Sequence, residues 1–237
     1  MFIFAHVFLG ALIGSGFWYL TTDRRALPLC ILCAILPDLL DKPLAMLVPG
    51  ILGAGRTLGH TLLFFGIAAL LGLILWRYRH TLLGLACACT LFSHQILDAM
   101  WYVPSTWFYP LMGPFPTAII QDYIVYSFWR EVSTLSEWVF AYASFIIIVT
   151  WYLGLPKHRL VFSVIPWIPT ARLIAILFLG VTGIILLISG TGFIAATCFA
   201  PTYDPVTSMM AGFIALGGIA VLIFLSGSIW LNRDQPE

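Results

Sequence analysis

Ala26-Leu27-Pro28-Leu29-Cys30-Ile31-Leu32-Cys33-Ala34-Ile35-Leu36-Pro37-Asp38-Leu39-Leu40, followed by Asp41-Lys42-Pro43, is the stretch on which the topology of this chain turns. As a helix rising about 1.5 Å per residue it would reach about 22 Å, short of a hydrocarbon core about 30 Å thick, so it reads as either a short span or a re-entrant piece. The segments around it are plainer. Apolar runs at Met1–Leu20, His60–Trp76, Thr81–Leu97, Glu137–Leu155, Ala171–Ser189 and Met209–Leu231 each read as a crossing. With 61% hydrophobic and 9% charged residues, against about 25% charged in a soluble domain, the chain is an all-α polytopic membrane protein.

The parity of the count decides between six spans and seven. If Ala26–Leu40 does not cross, His6 lies on the opposite membrane face from Asp38, Asp41, His60, His94 and Asp98. If it crosses, His6 opens the first span, Asp38 and Asp41 close the second, His60 opens the third, and His94 and Asp98 close the fourth. All of them then share one level, as a single site requires, so seven spans with one short are expected, with the site among the first four.

That set has a defined chemistry. His94 and Asp98 are four apart, so on a helix they share a face at chelating distance. Three imidazoles and three carboxylates are ligands favoured by zinc and acceptable to manganese or iron. Six candidates exceed one tetrahedral ion, so either two ions bind or some carboxylates orient the histidines. Arg56, four residues before His60, would share its face if that turn is helical. It would suit an anionic group such as phosphate, or else neutralise Asp38 or Asp41. His6 lies on one face with Gly10 and Gly14, a G-x-x-x-G surface for close helix approach, which points it inward; the alternative is a histidine snorkelling to the interface.

Other features read as structural. The net charge of +1 and the absence of a basic cluster exclude a nucleic-acid partner. Cys30 and Cys33 form a C-x-x-C without a second pair, and with Cys87, Cys89 and Cys198 they read as small buried hydrophobes. The first span carries its basic flank, Arg24 and Arg25, after the apolar run and so reads as retained. His80 and His158 sit among Arg77, Arg79, Lys157 and Arg159 and read as surface histidines; Asp122, Arg130 and Glu131 read as solvated loop charges. The stretch from Ala99 to Ser136, with Trp101, Trp107, Phe108, Tyr109 and four prolines, reads as an interfacial loop that either anchors to the membrane or guides a lipid. The last three spans read as free of ionisable residues in their apolar cores.

In the seven-span reading Arg24, Arg25, Arg77, Arg79, Lys157, Arg159, Arg172 and Arg233 lie opposite the site, and only Lys42, Arg56 and Arg130 lie on its side. The positive-inside rule then sets the N-terminus and the site outside the cytoplasm and the C-terminus inside.

The early His6, Pro37-Asp38-Leu39-Leu40-Asp41, Arg56-x-x-x-His60-Thr61 and His94-x-x-x-Asp98 resemble the YdjM-like family of inner-membrane-associated, metal-dependent hydrolases over roughly residues 1–115. Members commonly carry a His-Arg-Gly-x-Thr-His-Ser block; Gly55, Thr57 and Gly59 replace three of its positions here, while Arg56, His60 and a hydroxyl at Thr61 remain. The resemblance implies a metal site in an inner-membrane protein, with a phospholipase C-like hydrolase as the associated activity. The expectation is a metal-site core over 1–115, an interfacial loop over 116–136 and three further spans over 137–237. It would hydrolyse a phosphoester in a lipid or other amphiphilic substrate, with one or two divalent ions, zinc foremost, held by His6, Asp38, Asp41, His60, His94 and Asp98. Arg56 would hold the developing negative charge. A metal or proton transporter, or a structural protein with a stabilising metal, are the alternatives.

Overall fold

The structure, a computed structural model, describes residues 3–48, 55–116, 123–153, 167–191 and 205–231. Asp122, Lys157, His158, Arg159, Cys198 and Arg233 lie outside the described residues. The described chain is helical, without strands, and divides into two compact units, Met1–Glu131 and Val132–Glu237. Among the described residues, five helical segments are long and apolar enough to cross a membrane: Ile3–Thr21, Leu62–Arg79, Leu135–Tyr152, Thr170–Gly190 and Pro205–Ile223.

In the first unit, α1 (Ile3–Thr21) and α2 (Ala26–Leu47) are joined by four residues, too few for anything but an antiparallel return. Arg25 clamps Asp23 in that turn, Nε to Oδ1 at 3.0 Å and Nη2 to Oδ2 at 2.8 Å, and holds its carboxyl below the ordinary range. Glycine sets the α1–α2 spacing: a Cβ on Gly10 would lie 2.7 Å from the Ala34 Cβ, and one on Gly14 2.7 Å from the Leu27 Cα. The G-x-x-x-G surface of the first span is therefore the seam with α2, and it turns His6 inward.

α2 differs from the sequence reading. It continues through Pro37 and Pro43 to Leu47, 22 residues or about 33 Å, where the prolines and Asp41 suggested a stop at Leu40. Proline offers no N–H to the carbonyl one turn earlier, and membrane helices tolerate that loss where neighbouring segments pack against them. The short element is instead α4 (Leu83–Leu97), 15 residues, which follows α3 (Leu62–Arg79). The α3–α4 pair is antiparallel and close, because Gly72 faces Gly84, where a Cβ would meet the Gly84 carbonyl carbon at 2.7 Å, and Phe65 stacks on Phe92. α2 packs on α4, and α1 touches α4 as well. α1 and α3 lead away from one end of this group, and α2 and α4 lead into it.

After α4 the chain makes a 3-10 turn at Met100–Tyr102 and a single helical turn, α5 (Pro104–Trp107), before α6 (Tyr123–Ser133). The stretch expected as one loop is thus partly helical. Glu131 is not a solvated loop charge either: it is buried and its Oε1 accepts the Phe4 N–H at 3.2 Å, satisfying one of the free amides that open α1.

The second unit packs α7 (Leu135–Tyr152) on α8 (Trp167–Gly190), and α8 on α9 (Pro205–Leu231), through small residues such as Gly183 against Gly212. Its helices hold ionisable groups near their ends, outside the apolar cores that read as free of them. Glu137 is fully buried, and Arg172 is buried with Nη2 donating to Thr150 Oγ1 at 3.1 Å. Both lie near helix ends, where a long side chain reaches polar partners while its stem packs. The cysteines also depart from a uniformly buried set: Cys30 is buried, Cys33 and Cys87 half-buried, Cys89 exposed, and all four are free thiols.

Replacing Gly14 by Leu should destabilise the protein by about 1–3 kcal/mol, the usual cost of overpacking a tight seam. The same change at Gly16, where a Cβ meets nothing within 4 Å, should be tolerated. Thermal unfolding in detergent compares the two, and equal midpoints would contradict the close α1–α2 seam.

Candidate metal centre

The site forms where the open ends of α1, α2 and α4 meet the turn before α3. The turn itself is the least regular part. Gly55 takes a positive φ of 63°, a conformation glycine adopts freely, and Leu58–His60 forms a 3-10 turn before Thr61 caps α3. Thr61 Oγ1 accepts the Phe64 N–H at 3.0 Å, the standard use of a hydroxyl at a helix start. Gly59 lies against α2, where a Cβ would come within 2.8 Å of the Pro37 Cα.

Asp41 holds this turn from the α2 side. Its carboxylate accepts the Thr57 N–H at 2.6 Å, the Gly59 N–H at 2.9 Å and His60 Nδ1–H at 2.7 Å, and it is fully buried. Gln95 holds the same turn from the α4 side. Its amide nitrogen donates to the carbonyls of Thr61 at 2.9 Å and Gly59 at 3.4 Å, while its carbonyl accepts Trp107 Nε1–H at 3.0 Å. The indole can only donate, which fixes the orientation of the amide.

The two central imidazoles are oriented alike. His60 gives its Nδ1 proton to Asp41, and His94 gives its own to the Ala34 carbonyl at 2.6 Å. With both rings neutral, each Nε2 presents a lone pair, and the two Nε2 atoms face each other at 3.2 Å. Two neutral imidazoles so arranged have no proton to share between them. Asp38 and Asp98 complete the centre: His60 Nε2 lies 3.7 Å from Asp38 Oδ1 and 3.4 Å from Asp98 Oδ2, and all four donor atoms fall within 4.8 Å of one another.

Charge supports the same reading. Three buried carboxylates, Asp38, Asp41 and Asp98, have two permanent cations at their edge: Lys42 Nζ lies 3.6 Å from Asp38 Oδ2, and Arg56 Nη2 lies 3.1 Å from Asp98 Oδ2. Buried carboxylates without compensating charge are costly. Two neutral nitrogens and two carboxylates converging on one point, with their outer atoms tied to acceptors and donors, are the donor set and surrounding bonds that a divalent cation such as zinc takes. The residues present fit such an ion.

Of the six expected ligands, Asp38, His60, His94 and Asp98 come together. His6 borders them, its ring 4.1 Å from that of His94 and its Nε2 3.4 Å from Asp98 Oδ1. Asp41 stands behind His60 and orients it. Arg56 reaches the site without the helical turn that its spacing to His60 assumed, and it pairs with Asp98, whereas the alternative to an anion-binding role had named Asp38 or Asp41. Gln95 and the Ala34 carbonyl have no part in the sequence reading, and Trp107 enters it only as an aromatic of the interfacial loop. Gln95 was visible only as a polar residue beside His94 in an apolar run, and a backbone carbonyl leaves no sequence signal.

These features define a helical membrane protein with a buried histidine–aspartate centre suited to a metal ion. A family model described as YdjM inner membrane protein matches residues 1–225, and the chain belongs to that family. No curated protein and no solved structure matches it.

His94→Ala and Asp98→Ala should each abolish stoichiometric metal binding by the purified protein, measured by elemental analysis. Asp41→Asn, which removes the acceptor behind His60, should weaken affinity by about 10- to 100-fold without abolishing it. Parental metal content in both alanine variants would refute the centre.

Proposed function

We propose that the chain is a metal-dependent hydrolase acting on a phosphoester in a lipid or lipid-linked substrate. The observation that carries this is the pair of facing Nε2 lone pairs at 3.2 Å, flanked by Asp38 and Asp98 and edged by Arg56. A bound divalent cation, zinc foremost and manganese or iron as alternatives, would activate water at neutral pH and polarise the scissile phosphoryl group. The protein's own contributions are separable. Asp41 and the Ala34 carbonyl fix the tautomers of His60 and His94, so both nitrogens face the centre as ligands. His6 and Arg56 place positive or hydrogen-bonding groups on Asp98. Arg56, the outermost of these at 35% side-chain exposure, keeps N–H groups for an anionic substrate and for the charge that grows on it in the reaction.

The membrane arrangement in this reading has seven spans: α1, α2, α3, α4, α7, α8 and α9. α2 has the length to cross, and the polar residues that keep it from being uniformly apolar are Asp38, Asp41 and Lys42 at the site. α4 is short, and the turns after it extend its reach. The six ligand-type residues gather at one end of the helix group, which supports hydrolysis of a lipid-borne group over an ion pathway, where polar residues would be spaced along the helices. The distribution of Lys and Arg supports an orientation with this end outside the cytoplasm, the N-terminus out and the C-terminus in.

Arg56→Lys should keep metal and lose most turnover, about 10- to 100-fold, because an ammonium cannot reproduce two-point binding of a phosphate. Release of product from phospholipids and polyprenyl phosphates by metal-loaded protein is the measurement; turnover equal to the parent would count against Arg56 as the phosphate holder. For the orientation, single cysteines replace Leu111, 87% exposed on the site side, and Gln235 in a chain without native cysteines. In intact cells an impermeant thiol reagent should label position 111 and not 235. Labelling of 235 alone would reverse the orientation, and labelling of both would break the seven-span count.

A further inference from the structure

We infer that Gln95 is a positioning residue through which the aromatic loop after α4 sets the grip of the centre on its metal. This rests on the metal reading above and adds a coupling that the ligand set does not contain.

His60 is the one ligand of the four that is not on a helix: Asp38 lies in α2, His94 in α4 and Asp98 at the C-terminal cap of α4, whereas His60 sits in a 3-10 turn preceded by the positive-φ Gly55. Its place depends on what holds the turn. Asp41 binds the imidazole and two amides on one side. On the other, Gln95 takes the two carbonyls that bracket His60, those of Gly59 and Thr61. The amide of Gln95 is fully buried, and its remaining group, the carbonyl, accepts from Trp107. If that donor is lost, a buried carbonyl is left without its partner, and the amide has reason to turn away from the His60 turn.

Trp107 belongs to α5, and α5 is fastened to the same turn a second time: the buried Thr106 Oγ1 donates to the Arg56 carbonyl at 3.4 Å. The loop that continues from it exposes Phe108, Leu111 and Met112, and no charged residue occurs between Asp98 and Asp122. A charge-free loop with exposed apolar and aromatic side chains suits the membrane–water interface, so this path joins an interfacial loop to the backbone on both sides of a metal ligand. The side-chain hydrogen bond of Trp107 leads to the His60 turn through Gln95.

The test is a double-mutant cycle on metal affinity with the full-length protein in nanodiscs, stripped of metal and titrated with cobalt(II), whose visible absorption also reports ligand geometry. Trp107→Phe should weaken cobalt binding by about tenfold, the effect of one buried hydrogen bond lost, and shift the cobalt spectrum. Gln95→Leu should weaken it at least as much. Because Trp107 acts through Gln95, the double variant should bind within about twofold of Gln95→Leu alone. Additive losses would show that Trp107 acts by another route, and parental affinity and spectrum in Trp107→Phe would show that the loop is not coupled; either result overturns the inference. If Gln95→Leu does not fold, Trp107→Phe alone still decides, since an unchanged spectrum refutes the coupling and a shifted one with weakened binding supports it. A parent protein that takes up no cobalt or zinc refutes the metal reading itself, whereas a parent that binds alongside unaltered variants refutes only the coupling.

Discussion

The three hydrogen bonds that Asp41 accepts, from Thr57 N, Gly59 N and His60 Nδ1, are the constraint on which the rest of the site depends. A carboxylate buried at this depth is costly unless its lone pairs are used, and here they are spent on the backbone of an irregular turn and on one ring. The turn thereby gains a fixed shape without regular secondary structure, and His60 gains a fixed tautomer. Gln95 completes the hold from the opposite helix. Remove either and the imidazole sits on a segment with no helix to carry it.

The helices supply what the turn cannot. Gly10 and Gly14 let α1 approach α2, and Gly72 and Gly84 let α3 approach α4, so the ends of the helices converge closely enough for side chains from four segments to meet within a few ångströms. In lipid there is no hydrophobic gain from pressing apolar helices together, and such small-residue seams let dispersion and backbone proximity do it instead. Glu131, through the Phe4 amide, pins the start of α1 two residues before His6. The polar cost of the site is met by pairing nearly every charged group within it: Lys42 on Asp38, Arg56 on Asp98, Asp41 on His60.

The membrane-length helices and the residues that cluster at the end of the first unit were legible in the sequence because the signals are local. Apolar runs mark helices whatever their neighbours, His94 and Asp98 are one helical turn apart, and the rarity of ionisable residues made each one conspicuous. Helix ends were less legible. α2 was cut short because proline and aspartate are read as stops, yet packing against α1 and α4 carries the helix through both prolines. Glu131 reads as a solvated charge because nothing local shows that another segment supplies its partner, the Phe4 amide.

By itself, then, the sequence determined the class of the protein, the helical segments and the residue types that gather at one end of the first unit, since those follow from composition, periodicity and parity. Only the tertiary structure decided what each of them does there. That Asp41 orients while Asp38 and Asp98 face the centre, that Arg56 pairs with Asp98, and that Gln95 and the Ala34 carbonyl hold the two histidines' surroundings are matters of distances between segments up to 60 residues apart. The physical reason is that roles within the set are assigned by which lone pairs and protons meet. Those meetings are fixed by helix seams and a clamped turn, neither of which has a local sequence pattern that names its partner.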